Sequence, residues 1–175
     1  MEEKKPTTGK FALTFGIILG IVSIIFNVIL YMMDLQFQGG IALLIINSII
    51  MLAIIILGMR QFKKENGGFM SFGEAIKIGL GIALIAGILG IIYQQLLIHV
   101  IDPEYMQKAM DYQRSLMAEN PKMTPELIDQ QIEMQQKFSK PWIQMAFALV
   151  GSLFFGFILS LFPALAMKKT EQNDY

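Results

Sequence analysis

Four long apolar runs, separated by segments that hold nearly all of the charge, constrain this chain more than any other feature. Phe11 to Met33 is 23 residues without a charged side chain, and Ile41 to Met59 and Ile143 to Met167 are likewise free of charge. Ala75 to Val100, the longest run, carries a single lysine, Lys77. A hydrocarbon core about 30 Å thick needs roughly 20 apolar residues to cross as a helix. Within that core a chain segment must bond all of its own backbone amides and carbonyls, which an α-helix does. Composition agrees: 16% of the residues are charged and 54% hydrophobic, where a soluble domain has about 25% charged. A soluble core of equal hydrophobicity would break its apolar residues into shorter runs.

The expected fold is therefore an all-α membrane protein. Four transmembrane helices lie over about 11–33, 41–62, 74–100 and 142–167, with an extramembrane helical hairpin over 102–141 between helices three and four, all within a single domain spanning 1–175. The first run follows the bases Lys4, Lys5 and Lys10, as a signal peptide would. It is too long for a signal core, however, and YMMDLQF follows it in place of a small-residue cleavage site, so it reads as a retained first span.

Composition also limits chemistry. The formal net charge is zero, so no overall field draws nucleic acid. Cysteine is absent and there is one histidine, which excludes disulfides, thiolate metal sites and a cysteine nucleophile. A zinc site would have to be built mainly from carboxylates, an unusual donor set. No H-E-x-x-H, G-x-S-x-G or phosphate-loop spacing occurs. No catalytic, cofactor-binding or metal-binding residue is expected.

Small and polar residues recur at helical spacing. Gly16, Gly20, Ser23 and Asn27 share one face of the first span; Gly79, Ala83, Gly87 and Gly90 form a ridge on the third; Ala148, Ser152, Gly156 and Ser160 form one on the fourth. Such ridges let helix backbones approach closely in lipid, and the third helix is expected at the centre of the bundle. Asn27 and Asn47, with Ser48, are the deep polar residues. A contact between the two asparagines across antiparallel helices one and two is expected to serve as structural glue.

Arg60 to Gly81 joins the second run to the third and concentrates three signals. Lys63 and Lys64 sit where cations complement the carbonyl end of a helix. Asn66, Gly67 and Gly68 supply the left-handed conformations that stop it. Ser71 and Glu74 form S-x-x-E before a new apolar run, the pattern in which each side chain satisfies a free amide at a helix start. At the far end of the third span, Tyr93, Gln94, Gln95 and His99 make it polar, and His99 is a candidate interfacial site.

The 102–141 segment holds seven acidic and five basic residues. Asp102-Pro103-Glu104 and Thr124-Pro125-Glu126 each read as N-cap, proline at the first helical position and an acid in the first turn. Helices are expected over about Pro103 to Ala118 and Pro125 to Ser139, with Asn120 and Pro121 as the break. Each has an apolar side rich in methionine, leucine or isoleucine, and methionine faces adapt to varied surfaces. Trp142 returns the chain to the membrane interface.

Orientation follows from the loops. Lys4, Lys5, Lys10, Arg60, Lys63, Lys64, Lys77, Lys168 and Lys169 all fall on one side of a four-span chain. The positive-inside rule makes that side cytoplasmic, with both termini there and the hairpin outside.

The stretch K-x-E-N-G-G-F-M-S-F-G-E-A-I-K-I-G from Lys63 to Gly79, and I-D-P-E-Y from Ile101 to Tyr105, resemble domain-of-unknown-function family 4199. These are small four-helix membrane proteins, chiefly from Bacteroidota, and the resemblance covers nearly the whole chain. It implies a multi-pass protein of the bacterial inner membrane and carries over no catalytic residue, cofactor or substrate. The function expected is that of a non-enzymatic accessory or scaffolding protein, which docks a partner through the periplasmic hairpin or the cytoplasmic basic turn. A small oligomeric transporter or channel subunit is the alternative, and a membrane-embedded lipid-modifying enzyme has the least support. Expected partners are the lipid bilayer and either another protein or a second copy of the chain.

Overall fold

The computed structural model describes residues 6–138 and 140–169. Lys4, Lys5, Ser139 and the polar tail after Lys169 lie outside the described residues. Six α-helices follow in order: α1 (Thr8–Met32), α2 (Gly40–Glu65), α3 (Phe72–Leu96), α4 (Tyr105–Ala118), α5 (Pro125–Lys137) and α6 (Pro141–Met167). A π-helical turn, Leu97–Ile101, continues α3. Among the described residues four segments are long and apolar enough to cross a membrane: α1, α2, α6 and the 30 residues of Phe72–Ile101. The protein is an all-α membrane protein with the expected four spans and intervening hairpin.

The chain divides into two compact units, Met1–Gly90 with Leu149–Tyr175 and Ile91–Ala148. Helices α3 and α6 each contribute residues to both.

In the first unit, α3 is the central helix, and the reason is its small residues. On one side Gly81, Ile85 and Leu89 meet Ala12, Gly16 and Gly20 of α1 at a constant offset, as parallel helices must. On another side Gly79, Ala83 and Gly87 face Ser160, Gly156 and Ser152 of α6 in antiparallel register. A Cβ placed on Gly81 would lie 2.5 Å from that of Ala12, and one on Gly79 would lie 2.7 Å from that of Ser160. Neither spacing leaves room for a side chain. The hydroxyls on this seam do not cross it. Ser160 donates to the Gly156 carbonyl at 2.5 Å and Ser152 to that of Leu149 at 2.9 Å, so each is satisfied on its own helix.

Phe11, Leu19, Ile55, Met59, Phe62, Met70, Ala75, Ile78, Ile82 and Ala164 form the buried core. They cluster towards the end of the unit that carries Lys63 and Lys169. Phe11 meets Phe62 edge to face at 5.4 Å between ring centres. Away from this core the apolar side chains are turned outward: Leu13, Ile21, Ile25, Ile49 and Phe154 are each at least half exposed, which in a spanning helix is the surface offered to acyl chains. The short link between α1 and α2 turns at Asp34, whose φ of 54° is left-handed, and Leu35 closes it by donating to the Leu30 carbonyl at 2.9 Å.

In the second unit, the Asp102 amide donates to the Leu97 carbonyl at 2.8 Å, closing the π-helical turn. The hairpin helices begin differently from each other. Thr124 caps α5 as its sequence implies, accepting from the Leu127 amide at 3.4 Å with Pro125 at the first position. The expected start of α4 at Pro103 is corrected to Tyr105: Asp102 is extended (φ −142°, ψ 85°), and Glu104 takes the cap position with no side-chain bond. The carboxylate that would have capped the helix is used elsewhere. Between the helices, Asn120 accepts from the Lys122 amide through its side chain and from Met123 through its carbonyl, an Asx turn that accounts for the break.

Candidate functional site

The stretch between α2 and α3 proves to be a junction of three chain segments. The α2 helix stops because Gly67 and Gly68 take φ values of 64° and 87°, which side-chain-bearing residues adopt only with strain. Gly68 donates back to the Lys63 carbonyl at 2.8 Å, and the Asn66 side chain donates through Nδ2 to the Phe69 carbonyl at 2.9 Å. Three residues later α3 starts with the reciprocal cap. The Ser71 amide donates to Glu74 Oε2 at 2.7 Å, the Ser71 hydroxyl to the same oxygen at 2.8 Å, and the Glu74 amide to Ser71 Oγ at 3.3 Å. Both donors to that carboxylate oxygen are local, which gives Glu74 a structural role.

The third segment is the end of α6. Met70 and Lys169 exchange two backbone hydrogen bonds of 2.9 Å, an isolated antiparallel bridge. The Lys63 ammonium donates to the Met167 carbonyl at 2.7 Å, satisfying one of the acceptors that every helix C-terminus leaves open. Lys169 lies over the Phe69 ring, 5.3 Å from its centre. Here sequence reasoning found the cap and the stop but missed the docking of the chain end. Pairing between Met70 and Lys169 spans almost a hundred residues, and neither position has a local signature.

The two asparagines are not brought together. Asn27 Nδ2 donates to the Ser23 carbonyl at 2.8 Å and Asn47 Nδ2 to that of Leu43 at 2.9 Å. Each thus bonds a carbonyl four residues earlier on its own helix, and both side chains are exposed. His99 sits in the π-helical turn and is also exposed.

Beyond His99 lies a pair that the sequence did not disclose. Asp102, only 7% exposed, accepts from the Lys108 ammonium at 2.9 and 3.1 Å through its two oxygens, and Lys108 also lies 3.7 Å from the exposed Glu104. A separation of six residues is not a helical contact spacing. It becomes one only because the chain straightens at Asp102 before α4 begins. The two hairpin helices are then tied to one another by Arg114 with Asp129 and by Gln135 donating to Gln113 at 2.8 Å. Ile128 and Ile132 are buried on α5.

Both stretches carrying the resemblance, Lys63 to Gly79 and Ile101 to Tyr105, thus have defined structural work, and residues 14–169 match the family described as protein of unknown function (DUF4199). The chain belongs to the DUF4199 family. No curated protein and no solved structure matches it. In this DUF4199 protein the hairpin carries a concave feature. A groove of about 400 Å³ runs between α4 and α5, lined by Gln113, Met117, Gln131, Met134, Gln135 and Phe138. Met134 is 61% and Phe138 56% exposed. Among the described residues no three metal-ligating side chains converge. The groove's lining is amide, thioether and one aromatic ring, which bind through shape and hydrogen bonding and are poor nucleophiles and poor acid–base groups.

Proposed function

We propose that this DUF4199 protein is a non-enzymatic accessory or scaffolding protein of the bacterial inner membrane, which docks a protein partner through the α4–α5 hairpin. Both termini lie in the cytoplasm in this reading, and the hairpin lies in the periplasm. The observation that carries it is the groove between α4 and α5. Its Met134 and Phe138 side chains stay exposed although α5 already buries Ile128 and Ile132, and flexible thioethers suit a surface that adapts to a partner. Glutamines on both walls supply donors and acceptors for orientation.

The cytoplasmic turn is the weaker docking element because much of it is already engaged. Lys63, Ser71, Glu74 and Met70 are all bonded within the chain. Support for the orientation comes from the nine bases in the short segments assigned to the cytoplasm, against a hairpin segment in which seven acids outweigh five bases.

A photoreactive amino acid placed at Met134 or Met117 in intact cells tests the docking. The expected result is a discrete crosslinked protein that disappears when Gln113 and Gln135 are both changed to alanine, with none from a control site at Glu119. Equal crosslinking from all three positions, or crosslinks to lipid alone, would overturn the proposal.

A further inference from the structure

The outward face of α2 changes character within one helical turn. Ile46, Ile49, Ala53, Leu57, Arg60 and Lys64 recur at three- and four-residue spacing and are all exposed. They form one stripe, apolar as far as Leu57 and cationic beyond it. At about 1.5 Å rise per residue, Arg60 stands roughly 4.5 Å and Lys64 roughly 10.5 Å further along the axis than Leu57. Headgroup layers occupy about 5–8 Å on each side of the hydrocarbon core. The two cations therefore fall at the depth of lipid phosphates whenever Leu57 lies among acyl chains.

The charges nearest in sequence do not neutralise them. Glu65 accepts from Gln61 at 3.0 Å and lies 3.9 Å from the Lys10 ammonium. Glu74 is held by Ser71. Lys63, the neighbour of Lys64, is turned inward to the Met167 carbonyl. Arg60 and Lys64 are left as like charges one turn apart, an arrangement that is unfavourable on a helix without a counter-ion. A phosphate between them would accept two parallel bonds from the guanidinium fork and one from the ammonium.

We infer that Arg60 and Lys64 form a site for the phosphate of an anionic phospholipid, whose acyl chains lie along Leu57, Ala53 and Ile49. The apolar half of the stripe selects a lipid over a soluble anion, and the doubled positive charge selects an anionic headgroup over a zwitterionic one.

The test uses the full chain, purified in non-ionic detergent and stripped of lipid. Phosphatidylglycerol or phosphatidylcholine is then titrated in, and retained lipid is counted by native mass spectrometry. Phosphatidylglycerol is expected to be held at least tenfold more tightly than phosphatidylcholine. Arg60→Gln should weaken it roughly fivefold and Arg60→Gln with Lys64→Gln about thirtyfold, as expected for bases near an anionic surface, while Lys168→Gln leaves it unchanged. A double variant that holds phosphatidylglycerol as the parent does would overturn the site. So would equal retention of the two lipids, or displacement by inorganic phosphate at equal concentration. Retention by the unaltered protein should also fall as sodium chloride rises from 50 to 500 mM; a flat response contradicts an electrostatic site whatever the variants do.

Discussion

The seam between α3 and α6 yields the sharpest test of the packing. Replacing Gly79 by alanine places a Cβ 2.7 Å from the Ser160 Cβ and inside the reach of its hydroxyl. Carbon atoms pack at about 3.5–4.0 Å, so the helices must separate locally by about 1 Å, which forfeits a quarter to a half of each contact's attraction along the seam. Overpacking of this kind costs about 1–3 kcal/mol. Ser160 is fully buried and its hydroxyl is committed to the Gly156 carbonyl; forcing it off that acceptor adds about 1 kcal/mol. Gly79→Ala should therefore destabilise the protein by about 2–4 kcal/mol. Adding Ser160→Gly removes both clashing atoms, at a helix-propensity cost of about 1 kcal/mol. The double variant should then recover most of the loss. Reversible unfolding of the purified protein in mixed detergent, followed by far-ultraviolet circular dichroism, measures both. A Gly79→Ala variant as stable as the parent, or a double variant no better than the single, would refute the register of this seam.

Three further outcomes follow from single contacts. Glu74→Ala removes the reciprocal cap on α3 and should cost about 1 kcal/mol in the same unfolding assay, with Glu74→Gln recovering part of it. Lys63→Met keeps the aliphatic stem but loses the bond to the Met167 carbonyl; about 1 kcal/mol is expected, read most locally as faster amide hydrogen exchange at Met70 and Lys169. Lys108→Ala removes two bonds from the buried Asp102 carboxylate. Because the lysine is itself half exposed, the loss should sit near the lower end of the charged range, about 1.5 kcal/mol, and appear as faster proteolysis within α4.

Much of this architecture was legible because periodicity in lipid is simple. Runs without charge located the four spans, and small residues every fourth position marked the ridges on α1, α3 and α6. What the ridges could not disclose was their pairing. The parallel match of Ala12, Gly16 and Gly20 to α3, and the antiparallel match of Ser152, Gly156 and Ser160 to it, depend on where each helix sits along its axis, which no local pattern encodes. Caps and stops at Gly67, Gly68, Ser71 and Glu74 were readable because they are short-range.

The misses share a cause. Asn27 and Asn47 were expected to seek each other, but a carbonyl four residues earlier is always in reach on the same helix and needs no partner helix to be positioned. Asp102 was read as a cap because Asp-Pro-Glu usually is one, whereas the π-helical turn before it ends α3 with Asp102 extended and aims its carboxylate at Lys108. The Met70–Lys169 bridge and the Lys63 bond to Met167 join segments remote in sequence. Their only hint was that all three segments are basic and fall on one side of the membrane.

The functional proposal depends on where the hairpin lies, and the absence of native cysteine makes that directly measurable. Single substitutions Met134→Cys in the hairpin and Lys64→Cys at the end of α2 can be exposed to a membrane-impermeant maleimide on intact spheroplasts and again after permeabilisation. Modification of the Met134→Cys protein in intact spheroplasts, with Lys64→Cys modified only after permeabilisation, is the expected result. Protection of the hairpin site, or labelling of the α2 site from outside, would contradict a periplasmic docking hairpin.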